Sequence, residues 1–118
     1  LSSSSAASDV YKRQGYKVGK HGKKTPRRRQ ILEKVFGSEL PNVNNADYMA
    51  EWGQPRSAQR LYKMANSLAA FCRNAKRNPY GSAEAIEHWE ADLDWLYESF
   101  YRGRFSFSWP STYVDQLE

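Results

Sequence analysis

Glu84, His88 and Asp92 follow one another at intervals of four in this 118-residue chain. On a helix, that spacing brings two carboxylates and an imidazole to one face. Such groups grip a divalent ion or move a proton. A metal centre needs a further ligand from another element and a fixed geometry, and a merely solvated helical face has the same pattern. No metal or other cofactor is assigned on it. Cys72 is the lone cysteine, with Arg73 beside it and His21 and His88 as the two histidines. A nucleophilic thiol needs a neighbouring base. Cys72 instead lies beside the apolar stripe of its helix, where a free cysteine behaves as a small hydrophobe. No complete catalytic constellation emerges.

The strongest chemical signal is a split in charge. Residues Lys12 to Arg29 hold nine of the eighteen basic residues and no acid, whereas the chain beyond Arg29 carries nine bases against twelve acids. Within this run Lys17, Lys20, Lys23, Lys24, Arg27, Arg28 and Arg29 suit phosphate tracking, which releases counterions and weakens as salt rises. Tyr16 is placed to stack on a base, and the glycines let the backbone approach a polyanion. Arg73, Lys76 and Arg77, at the end of a later helix, form a second basic group. The other reading of the run is a solvated basic linker. Its glycine spacing, GxxxGxxG from Gly15, is neither a dinucleotide fingerprint nor a phosphate loop, because no strand precedes it and no Gly-Lys-Ser/Thr follows.

These groups are positioned by elements with helical signatures. Gly15 to Lys24 has no helical period and reads as an arm. Thr25 as N-cap and Pro26 at the first helical position open a short helix, with Ile31, Leu32, Val35 and Phe36 on its apolar face and Gly37 as its stop. Arg27 to Arg29 sit in its first turn, where the helix dipole disfavours cations, so a group outside the helix must compensate them. Asn45 or Asp47 starts a short helix through Trp52. Ser57 then caps the clearest element, with Leu61, Met64, Ala65, Leu68, Phe71, Cys72 and Ala75 recurring at a period near 3.6. Ser82 caps a last helix to about Tyr101. Its seam of Ile86, Trp89, Leu93, Leu96 and Phe100 should pack antiparallel on the previous helix, with basic residues from Arg56 to Arg77 facing acids from Glu84 to Glu98. Phe105, Phe107 and Trp109 alternate with polar residues, as in an extended segment laying one aromatic face on the bundle. The expected core is Leu61, Leu68, Trp89, Leu93 and Leu96. Trp52 and Trp109 lie at element ends, where an indole packs its ring and finds a partner for its N–H.

The expected fold is all-α: a bundle of three to four helices at 25–118 built on an antiparallel hairpin, preceded by a flexible, disordered basic arm at 1–24. The length suits one domain. The charge of +5 favours nucleic acid or anionic surfaces as partners. No apolar run reaches the roughly 18 residues of a membrane helix, and a lone cysteine suits a reducing cytoplasm.

The opening string, LSSSSAASDVYKRQ, resembles an adaptor or assembly scar from environmental sequencing, which implies that residues 1–14 are not native and that the natural protein is longer upstream. Past it, GYKVGKHG at Gly15, RRRQIL at Arg27, YMAEWGQPRSAQRL at Tyr48, NAKRN at Asn74 and HWEADLDWL at His88 resemble a carboxy-terminal segment of uncharacterised bacterial proteins. The resemblance implies a recurrent domain and carries over no activity. The expected function is a nucleic-acid-associated accessory module of a larger bacterial protein, binding DNA or RNA phosphate non-specifically through the basic arm. Its rival is a protein–protein scaffolding domain that docks on an upstream domain.

Overall fold

The computed structural model describes residues 2–115, with side chains from residue 6 onward; position 1 and 116–118, the end of the expected helical domain, lie outside it. The elements run α1 (Ser2–Arg13), α2 (Thr25–Gly37), α3 (Ala46–Ala50), α4 (Ala58–Arg77), α5 (Ala83–Leu96) and a π-helical turn, Tyr97–Tyr101. No strand occurs among the described residues. The protein is all-α.

Local chemistry explains the helix starts. The Ser57 hydroxyl accepts the Arg60 N–H at 3.0 Å and the Ser82 hydroxyl accepts the Ala85 N–H at 3.1 Å. Asn45 accepts the Tyr48 N–H at 2.8 Å. Each such cap stabilises its helix by about 1 kcal/mol. The start of α2 lies one residue earlier than expected: Lys24 is the cap position, without a side-chain bond, and Thr25 is already helical.

The centre of the molecule is α4, which packs along α5 and also against α1 and α2. Leu61, Met64, Ala65, Leu68, Ala69 and Cys72 are wholly buried, and Leu93 and Leu96 close over them from α5. The expected hairpin forms, joined by the short link 78–82. Its seam is uneven. Trp89 and Ile86 are only half-buried, whereas Trp52, placed by sequence at an element end, is 1% exposed. Trp89 lines a groove at the carboxyl half of α4, and Trp52, just after α3, is drawn into the core.

The charges of α4 do not form the expected ladder with α5. Lys76 reaches Glu90 at 2.7 Å, but Lys63 pairs with Glu51 at 2.8 Å. Arg60 is buried and donates to four carbonyl oxygens: Val35 at 2.6 Å, Ser38 at 2.7 Å, Trp52 at 2.8 Å and Gly53 at 3.0 Å. Burial lowers its pKa, with Glu39 pulling the other way. These oxygens cap the carboxyl ends of α2 and α3, so one guanidinium ties two helix ends to α4. After the π-turn, Phe105, Phe107 and Trp109 are half-buried while Arg104, Ser106 and Ser108 are exposed, as the alternation requires.

Two further departures concern the amino end. Residues 2–13 form a helix, and Ala6, Ala7, Val10 and Tyr11 enter the common core. The basic segment that follows is not a disordered arm: it folds back as a loop on α5. The radius of gyration, 13.8 Å, is that of one globule of this length, for which about 13.5 Å is expected.

Candidate nucleic-acid interface

The loop between α1 and α2 owes its shape to its glycines. Gly19 has φ +92°, a conformation open to glycine at little cost. The Gly22 N–H donates to the Gly19 carbonyl at 3.0 Å and the Lys23 N–H to the Lys17 carbonyl at 2.8 Å. A Cβ on Gly22 would lie 2.4 Å from that Lys17 oxygen. The glycines thus close the loop on itself, rather than opening backbone to a polyanion. Lys17 and Lys23 are brought side by side.

The closed loop docks on the face of α5 that carries Glu84, His88 and Asp92. The Gly19 N–H donates to His88 Nδ1 at 3.0 Å, and the Tyr16 hydroxyl donates to Asp92 Oδ2 at 2.7 Å. Arg28 forks onto the same carboxylate, Nε to Oδ2 at 2.8 Å and Nη2 to Oδ1 at 3.2 Å, with side-chain exposures of 2% and 1%. Its Nη1 also holds the Lys23 carbonyl at 3.0 Å. Asp92 is therefore the outside group that compensates one of the three arginines of α2. Among the described residues, no group of three or more His, Cys, Asp or Glu side chains is placed to hold a metal ion. The shared face is an anchor for the loop.

Tyr16 and Arg28 consequently leave the set of exposed contacts that the sequence grouped together. Both are buried because they complete the Asp92 knot, so Tyr16 offers no free ring face for stacking. Burial, then the adjacent Asp92 charge and hydrogen bond, push the Tyr16 phenol well above its ordinary pKa. Arg73 and Lys76 are engaged as well. Arg73 donates to the Ser111 carbonyl at 2.7 Å and Lys76 to the Thr112 carbonyl at 2.8 Å, pinning the tail. Lys76 and Thr112 also hydrogen-bond Glu90 and hold its pKa below the usual range. Arg77 is exposed.

The remaining cations of the run from Lys12 to Arg29 form one population. Lys12, Arg13, Lys17, Lys20, Lys23, Lys24, Arg27 and Arg29 are all exposed, and none forms an ion pair with another described residue. Arg27 touches Gln30, and Arg29 lies over the Trp95 ring at 5.7 Å.

Beside them opens a groove of about 760 Å³, between the end of α1, the loop and the carboxyl half of α4. Its wall is a chain of rings: Tyr16 to Tyr11 at 5.2 Å, Tyr11 to Phe71 at 5.9 Å, Phe71 to Trp89 at 6.1 Å. Lys12, Lys17 and Lys23 stand at its edge, with Asn74 and Asn78 from α4, and no acid lines it among the described residues. Sequence reasoning places Phe71 and Trp89 in the apolar stripes and gives Asn74 and Asn78 no part in binding. A signal was present, since Phe71, Asn74, Ala75 and Asn78 continue one helical face beyond the stripe. Cys72 is buried behind this wall, where burial raises its pKa and keeps the thiol neutral.

In comparisons with known proteins, no family model, no curated protein and no solved structure matches the chain.

Proposed function

We propose that this helical domain binds nucleic acid by its phosphates, through Lys17, Lys20, Lys23, Lys24, Arg27 and Arg29. The observation that carries the reading is the difference between its two populations of cations. Those of α4 are mostly held by internal acceptors, whereas those of the loop, with Arg27 and Arg29 of α2, are exposed and have no acidic partner among the described residues. A folded loop suits the task better than a free arm, because its lysines are ordered before the polymer arrives and less entropy is lost on binding. The compartment that fits is the cytoplasm, where a lone thiol such as Cys72 stays reduced. The domain acts there as an accessory module of a larger protein.

The test is fluorescence anisotropy of the whole chain with labelled DNA and RNA over a salt series. The wild-type affinity should fall steeply with salt, with a logarithmic slope of about −0.7 to −0.9 per phosphate neutralised. Replacing Lys17, Lys20 and Lys23 by Glu should abolish low-salt binding and leave the helical circular dichroism unchanged. Deletion of the basic segment is a poor control, since it removes Tyr16 and Arg28 from the fold. No binding to any polymer at low salt would overturn the proposal and favour the scaffolding role.

A further inference from the structure

We infer that the ring-lined groove receives an unpaired nucleobase, so that the domain selects single strands over duplexes. This rests on the phosphate-binding reading and specifies its ligand. The argument begins with the arrangement of polarity across the groove. Its wall is aromatic, with half-buried Trp89 and Phe71 offering ring surface, and its edge on the loop side carries Lys17 and Lys23. A phosphate held at that edge leaves the attached base pointing at the rings. Stacking of a base on such a ring contributes about 1–3 kcal/mol.

The far side of the groove fixes the direction of entry. It is the carboxyl end of α4, where the helix dipole disfavours an anion. A neutral base edge, rather than a phosphate, suits that end. Asn74 and Asn78 present amides there. Asn78 Oδ1 already accepts the Tyr80 N–H at 2.9 Å, so its Nδ2 is left to donate to a base carbonyl. Asn74 is exposed and free to donate and accept. The groove volume falls in the range of about 300–1,000 Å³ typical of sites that enclose a small ligand. Bases in a duplex are stacked and paired, and reach such a recess only after extrusion.

The occupant is therefore one nucleotide of a flexible strand, since the lysine edge, with no acid among the described lining residues, favours an anionic guest over a cationic one. The same chemistry is offered by a free nucleotide. It lacks the neighbouring phosphates that Lys20, Lys24 and Arg27 would meet, so it should bind far more weakly.

The experiment compares a short oligothymidylate, an abasic strand of equal length, a duplex and thymidine monophosphate, all against the whole chain at one low salt concentration. The base-bearing strand should bind about tenfold tighter than the abasic strand and the duplex, and the monophosphate should not compete. Equal binding of abasic and base-bearing strands overturns the inference and leaves phosphate binding intact, whereas no binding of any polymer removes the phosphate reading itself. Effective competition by the monophosphate would make the ligand a free nucleotide. Asn74→Glu locates the site: the exposed Asn74 side chain has no hydrogen-bond partner among the described residues, so folding should survive. This change should weaken the base-bearing strand about tenfold and the duplex by less than about twofold. An unchanged single-strand affinity would move the base elsewhere.

Discussion

Asp92 does more than any other single side chain to shape the interface. It accepts from Tyr16 on the loop and from Arg28 on α2 while standing on α5. Asp92→Ala leaves a buried guanidinium without its counter-charge, and breaking a buried pair in this way costs about 3–5 kcal/mol. Urea titration with circular dichroism should register that loss; a change below about 1 kcal/mol would contradict the knot. Tyr16→Phe removes only the hydroxyl and should cost about 1 kcal/mol. The phenols of Tyr11 and Tyr16 are held neutral by burial, with folded pKa values above the ordinary one. The unfolded chain loses those protons first, so their contribution is complete below pH of about 10 and is lost as pH rises further. Stability measured by urea titration should therefore decline on the alkaline side. Glu90 runs the other way. Its pKa is lowered by Lys76 and Thr112, so the tail clamp holds above the ordinary glutamate range and loosens as pH falls through the depressed value. Limited proteolysis near Ser111 at acid pH would detect it.

Among the helices, what could be read in advance was what is local. Ser57, Ser82 and the stripe from Leu61 to Cys72 are signals within one or two turns, and they place α4 and α5. The docking of the basic loop was hidden because Tyr16 and Asp92 are 76 residues apart, and no spacing rule connects them. Periodicity also places Trp89 in the core, without showing that its ring lines a groove. Trp52 has the deeper site, so Trp52→Ala should show the full loss of about 3–5 kcal/mol for a buried ring. Trp89→Ala should cost clearly less in the same titration. Ala6, Ala7, Val10 and Tyr11 share a helical face that is buried in the common core, a role that the resemblance of residues 1–14 to an adaptor scar does not imply. Burying Val10 and Tyr11 contributes about 1.5–3 kcal/mol each. A chain starting at Gly15 should therefore melt well below the full one; an unchanged melting temperature would support a foreign origin for residues 1–14.

Taken whole, the molecule gathers eight exposed cations, which form no ion pair with another described residue, between the end of α1 and the start of α2. Self-repulsion within that cluster opposes folding, and a bound strand relieves it. Excess single-stranded nucleic acid should therefore raise the melting temperature in low salt, by mass action on the folded state, and the gain should vanish at high salt. A melting temperature indifferent to nucleic acid would argue against the proposed ligand.

Arg60 has an implication for how this chain can vary. Its guanidinium joins the end of α2 to the end of α3 directly, by hydrogen bonds to Val35, Ser38, Trp52 and Gly53. The covalent link between those helices is thereby relieved of holding them together. Extra residues inserted beside exposed Asn44, between core-packed Val43 and the cap residue Asn45, would add loop-closure entropy of about 0.6 kcal/mol for each doubling in length. That connector is where a grafted tag or reporter should be tolerated, with a melting temperature close to that of the parent chain as the check.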